Sequence, residues 1–147
     1  MENRAGAQRP LAYIIAPPGR LRESLLVLLR ASEEIVVSGW ADDGPTGLAA
    51  LAGRPPCLVL IDAGLGDGGA WEVLARLQRR QPPFPCLLLA RTREQAQRAH
   101  AGGAAAVLQA GLSGEAFHKA LQSINLALLT QGPMAGPSVD ETSPGAA

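Results

Sequence analysis

Apolar and polar positions alternate in blocks along this chain. The apolar run LAYIIA (11–16) is short and stops at Pro17-Pro18, as a strand ending in a loop would. RLRESLLVLLRA (20–31) follows, with Leu21, Leu25 and Leu28 on one helical face. EIVVSGWA (34–41) is β-branched and strand-like, and Asp42-Asp43-Gly44-Pro45 after it is turn chemistry. The spacing then predicts a short helix over 46–52, stopped by Arg54-Pro55-Pro56. CLVLID (57–62) is apolar on both faces, which suits a central parallel strand covered by helices on each side. A helix is predicted over 70–81, with Trp71, Leu74 and Leu77 on one stripe, and Gln81-Pro82-Pro83-Phe84-Pro85 ends it. Cys86-Leu87-Leu88-Leu89-Ala90 repeats the fully apolar strand pattern. A polar helix over 93–101 closes at Gly102-Gly103, and AAAVLQ (104–109) is the last strand. Ser113 caps a final helix, with Glu115 in its first turn, that is expected to run to about Thr130.

Five strands alternating with five helices imply a parallel α/β sheet with right-handed crossovers. Residues 1–10 read as a flexible arm, 11–131 as the folded domain, and 132–147, rich in Pro, Gly and Ser, as a disordered tail or a linker. The length, 147 residues, suffices for one domain with a real core. Thirteen basic and thirteen acidic residues cancel, so no global field draws the chain to nucleic acid. Arg76, Arg79, Arg80, Arg91, Arg93 and Arg98 read as solvated helix faces. No run is long enough to span a membrane and no signal peptide is visible, so a cytoplasmic protein is expected. Cys57 and Cys86 each open an apolar run and read as buried thiols, and His100 and His118 as helix-surface residues.

Ligands in open parallel sheets bind beyond the carboxyl ends of the strands. Asp62 is the only ionisable group delivered there by the three most apolar strands. The glycine-rich segment that follows (Gly64, Gly66, Gly68, Gly69) has neither the spacing of a dinucleotide loop nor the GK(S/T) ending of a P-loop, and reads as a mobile connector.

From about Leu11 to Ile124 the chain resembles the receiver domain of bacterial response regulators. The (βα)5 rhythm, LVLID ending on Asp62, the ADDG turn at 41–44, the LRESLLVLL helix and GGAAAVLQ before SGEAFHKAL carry the resemblance. The last stretch is most similar to receivers joined to helix-turn-helix transcription regulators, a resemblance that implies a DNA-binding domain following the receiver. It implies a flavodoxin-like three-layer sandwich with sheet order 2-1-3-4-5. It also implies that Asp62 stands where receivers accept a phosphoryl group from a histidine kinase.

The other reactive positions depart from the family. Two acids that hold Mg²⁺ after strand one are replaced by Ala16 and Pro17. The hydroxyl residue ending strand four is Ala90, the lysine ending strand five is Gln109, and the aromatic switch position is Ala106. Phosphoryl transfer is mostly positioning and electrostatic stabilisation, so these losses belong together. Neither Ala16 nor Pro17 offers a side-chain ligand for Mg²⁺, which wants oxygen donors. Asp42 and Asp43 are separated from Asp62 by two strand spacings, roughly 9–10 Å; Asp67 is the one substitute ligand within reach by sequence.

The expectation is therefore a degenerate receiver without Mg²⁺ or any other cofactor. It is not an enzyme, and it acts in signal transduction and transcription regulation through protein contacts. A histidine kinase is the partner the resemblance implies, and the losses argue against it. Leu126 and Leu129 lie off the core stripe of the last helix and suggest a homodimer seam, with the doubled leucines of the first helix as a competing surface. The alternatives are a receiver still phosphorylated at Asp62 and a flavodoxin-like domain that binds a small ligand across the strand ends.

Overall fold

The computed structural model describes residues 9–109 and 113–124. Five parallel strands, β1 (Leu11–Ile15), β2 (Val36–Ala41), β3 (Leu58–Asp62), β4 (Cys86–Ala90) and β5 (Ala106–Gln109), form one sheet in the order β2-β1-β3-β4-β5. The helices between them are α1 (Arg20–Ala31), α2 (Gly44–Leu51), α3 (Gly69–Gln78), α4 (Arg93–Ala101) and α5 (Gly114–Gln122), with a single 3₁₀ turn at Gly66–Gly68. This is the three-layer sandwich and strand order anticipated above.

β3 and β4 are buried along their whole length, as their unbroken apolar character requires. Successive side chains point to opposite faces. Val59 and Ile61 therefore join Ile15 and Leu88 in a core under α2, α3 and α4. Ile14, Leu58, Leu60 and Leu87 form a second core under α1 and α5, with Leu25, Leu29, Phe117 and Leu121. The leucines of α1 serve that core: Leu25 and Leu29 are fully buried, and Leu21, Leu26 and Leu28 pack half-buried around them. Only Val27 stands well out of this helix among its large apolar residues, which weakens α1 as a second interface.

Helix boundaries differ from expectation where a side chain takes over a backbone group. α2 starts two residues early because the Asp43 carboxylate accepts the Thr46 N–H at 2.8 Å, capping the helix before Pro45. Gly47 then lets α2 lie directly on β1, since a Cβ there would stand 2.5 Å from Ile15 Cδ1. α3 ends at Gln78 rather than at 81: the Phe84 N–H donates to Leu77 O at 3.2 Å and Gln78 Nε2 donates to Phe84 O at 2.8 Å. β5 begins at Ala106, two residues later than predicted. Ser113 caps α5 as expected, accepting from Ala116 N at 3.1 Å, but the helix ends at Gln122 rather than near Thr130, with the Ser123 N–H donating to Lys119 O at 3.1 Å. Leu126, Leu129 and the rest of 125–147 lie outside the described residues, and with them the proposed dimer seam and the tail. Among the described residues no helix is long and apolar enough to cross a membrane.

Candidate functional site

β3 lies between β1 and β4, and its last residue is Asp62. The interior position of the strand makes Asp62 the one buried polar or charged residue among those described, at 2% exposure. A carboxylate so far from water needs partners for both oxygens. Oδ1 accepts the N–H of Gly64 at 2.8 Å, a two-residue turn closed by the side chain. Oδ2 faces Arg91, whose Nη2 stands 3.5 Å away.

Arg91 is brought there by the sheet. Asp62 pairs with Leu89 across β3 and β4, and the ladder continues with Ala63 N donating to Leu89 O at 3.0 Å. Arg91 is the first residue past Ala90, and its backbone N–H is held by Gln95 Oε1 at 2.7 Å. From that root the side chain reaches back across Gly64. A Cβ at Gly64 would collide with Arg91 Nη1 and lie 3.2 Å from Asp62 Oδ1, so the absent side chain leaves room for the guanidinium. The Arg91 side chain is 61% exposed and that of Asp62 3%, so one face of the pair is wet and the other dry.

The remaining predicted positions do not converge on Asp62 as a ligand set. Ala16 is fully buried, and its methyl packs in the α1/α5 core. Its carbonyl accepts Arg22 Nη1 at 3.2 Å, and Arg22 also pairs with Asp42. Asp43 is occupied as the α2 cap, and the Thr46 N–H holds its carboxyl below the usual aspartate range. Pro17 is exposed at the rim, Ala90 is buried and Gln109 is exposed. Asp67 belongs to the 3₁₀ turn, but its side chain lies outside the described residues. Among the described residues no three His, Cys, Asp or Glu side chains stand close enough to hold a metal ion. Among the described residues, those placed beside Asp62 thus do not fit Mg²⁺: one oxygen is held by a backbone N–H, the other faces a cation, and Asp42 and Asp43 are engaged elsewhere.

Arg91 and Arg22 were hidden in the sequence. Arg91 belongs to the basic cluster read as a solvated helix face, and the structure corrects that for this residue. Arg98 is a milder correction, since its guanidinium stacks 4.7 Å from the centroid of the Trp71 ring. The usable signal was position: Arg91 directly follows a buried strand adjacent to the one ending in Asp62, and Gly64 follows two residues after that aspartate.

A groove of about 940 Å³ opens beside this site. Pro17, Asp43 and Leu65, which follow β1, β2 and β3, line it together with Leu48, Val73 and Arg76. It therefore sits at the switch point of strand order, where β1 and β3 feed connections in opposite directions.

Several solved structures of receiver domains and response regulators have the same fold. The signal receiver domain of the response regulator NarL from Mycobacterium tuberculosis superposes with a TM-score of 0.68 at 22% identity, covering 78% of this chain and 94% of that one. The chemotaxis response regulator CheY4 of Vibrio cholerae gives 0.67 at 19% identity, covering 78% and 97%. A DNA-binding response regulator of the LuxR family from Staphylococcus aureus gives 0.65 at 17% identity, covering 76% and 95%. No protein-family model matches the chain, and no curated protein matches it. At these identities the likeness establishes the receiver fold.

Proposed function

We propose that the chain is a receiver-type domain of a bacterial response regulator that signals by contact with a protein partner, without Mg²⁺-dependent phosphorylation of Asp62. One observation carries this reading: Asp62 is retained at the end of β3, while the place of its metal-binding neighbours is taken by a buried methyl, Ala16, and a proline. A lone carboxylate is a poor Mg²⁺ site. No cation of the lysine type ends β5 to balance a phosphoryl group, because Gln109 stands there. The partner surface includes the last helix, and Leu126 and Leu129, which follow its end at Gln122 in the sequence, form a homodimer seam. Output in transcription regulation follows the resemblance to receivers coupled to helix-turn-helix regulators.

Beryllofluoride with Mg²⁺ tests the first half of the proposal. Millimolar reagent is expected to leave the amide NMR shifts of Asp62 to Leu65 and of Arg91 unmoved; saturable shifts there would sink the reading. The contact half predicts that proteins retained by the unsubstituted domain are retained equally by the Asp62→Asn variant.

The groove at the switch point supports a second reading, a small-ligand-binding domain. Its volume falls within the range of small-molecule sites, and Leu48, Leu65 and Val73 give it an apolar floor. That reading expects a compound that raises the unfolding temperature by mass action, with the rise abolished by Leu48→Glu. A panel of drug-sized compounds that leaves both chains unmoved would dismiss it.

A further inference from the structure

Asp62 is buried at the end of β3, and the receivers it resembles balance the carboxylate at that position with a bound divalent ion and a lysine. Resting on the non-phosphorylatable reading above, we infer that Arg91 is a tethered substitute for that cation. It balances Asp62 permanently and keeps a free divalent ion from the carboxylate.

Four features of the structure converge on this role. The β3–β4 register puts the root of Arg91 two residues beyond the partner of Asp62. Gln95 fixes that root through the Arg91 N–H at 2.7 Å. Gly64 leaves the lane that the guanidinium crosses, and any Cβ there would close it. Asp62 Oδ1 is already committed to the Gly64 N–H at 2.8 Å, so the oxygen that Arg91 faces is the one left for a metal. A metal ion approaching Oδ2 would meet a fixed positive charge about one ion-pair distance away, and like charges at that range repel strongly even near a protein surface. A guanidinium stays protonated at any physiological pH, so this balance has no off state. The missing acids explain why the site lacks ligands. Arg91 adds a second barrier, and restoring the acids alone should not lift it.

That consequence gives the test. Mg²⁺ is titrated, by amide NMR shifts, into the Ala16→Asp/Pro17→Asp chain with Arg91 present and into the same chain carrying Arg91→Ala. Binding is expected to be about tenfold tighter without the arginine, the effect of one like charge partly screened by solvent. Equal affinity overturns the inference and leaves the proposed function standing. Mg²⁺ binding by the unsubstituted chain would instead strike the proposed function itself. Should the acid-restored chains fail to fold, a double-mutant cycle in the unsubstituted background decides. Arg91→Ala should raise the unfolding equilibrium constant about tenfold when Asp62 is present and have little effect alongside Asp62→Asn. Strictly additive effects of the two substitutions would show that the arginine does not serve the carboxylate.

Discussion

A chain carrying Ala16→Asp, Pro17→Asp, Ala90→Thr and Gln109→Lys together with Arg91→Ala should acquire a phosphoryl group at Asp62 from acetyl phosphate and Mg²⁺. The unsubstituted chain should do so slower by about three powers of ten. The estimate follows from charge. In this reaction the carboxylate displaces acetate at phosphorus, and an anionic nucleophile and an anionic donor must be held together. One opposite charge at about 4 Å contributes roughly 4 kcal/mol at an effective dielectric of about 20, and each 1.4 kcal/mol is about a tenfold change in rate. The unsubstituted chain has no metal set among its described residues, and Gln109 rather than a lysine ends β5. The cation that faces Asp62, Arg91, is tied to the nucleophile rather than free to hold the donor. Intact mass followed over time checks the prediction. Comparable rates in the two chains would mean that Asp62 reacts without the arrangement removed from around it.

The sequence exposed the sheet but hid half of the site, and the reason is physical. CLVLID and CLLLA announce interior strands because burial on both faces demands apolar residues at every position, a signal that survives without knowing the partners. Asp62 stood out for the same reason, as a charge at the end of such a run. Arg91 did not, because an arginine on a helix approach looks the same in sequence whether it reaches water or a carboxylate 29 residues away. Its role depends on the β3–β4 register and on the empty side of Gly64, both properties of the fold. Arg22 was hidden likewise: it ties Ala16 O and Asp42, which belong to the ends of different strands.

Phe84 shows a further kind of concealment. QPPFP reads as a helix stop, although α3 has already ended at Gln78. Its phenylalanine is nevertheless only 1% exposed, among the largest fully buried side chains, with Arg80 stacked 4.9 Å from the ring centroid. The stop signals concerned the backbone, whereas the burial arises because the Phe84 backbone is clasped by Leu77 and Gln78. The same clasp explains why α3 ends three residues before the prolines suggested.

Raising the pH from 8 to about 10.5 in reducing buffer should remove about 2 kcal/mol of stability for each of the two thiols. Cys57 and Cys86 are both free and buried, Cys57 directly before β3 and Cys86 as the first residue of β4. Burial pushes the Cys57 thiol up to about 11 and the Cys86 thiol up to about 12. The folded chain therefore keeps both protons after the unfolded chain has begun to release its own near pH 9. Above that point the unfolded state binds fewer protons, so stability is complete below about pH 8.5 and falls as pH rises toward the folded values. Tyr13, also raised by burial, acts in the same direction at higher pH. Competing alkaline effects are few, because twelve of the thirteen basic residues are arginine and only Lys119 is lysine. Arginine side chains as a class are not deprotonated in proteins over this range. Urea midpoints measured against pH should be flat to about pH 8.5 and then decline, and the Cys57→Ala/Cys86→Ala chain should flatten most of that decline. A double variant that declines just as steeply would assign the alkaline loss to some other group.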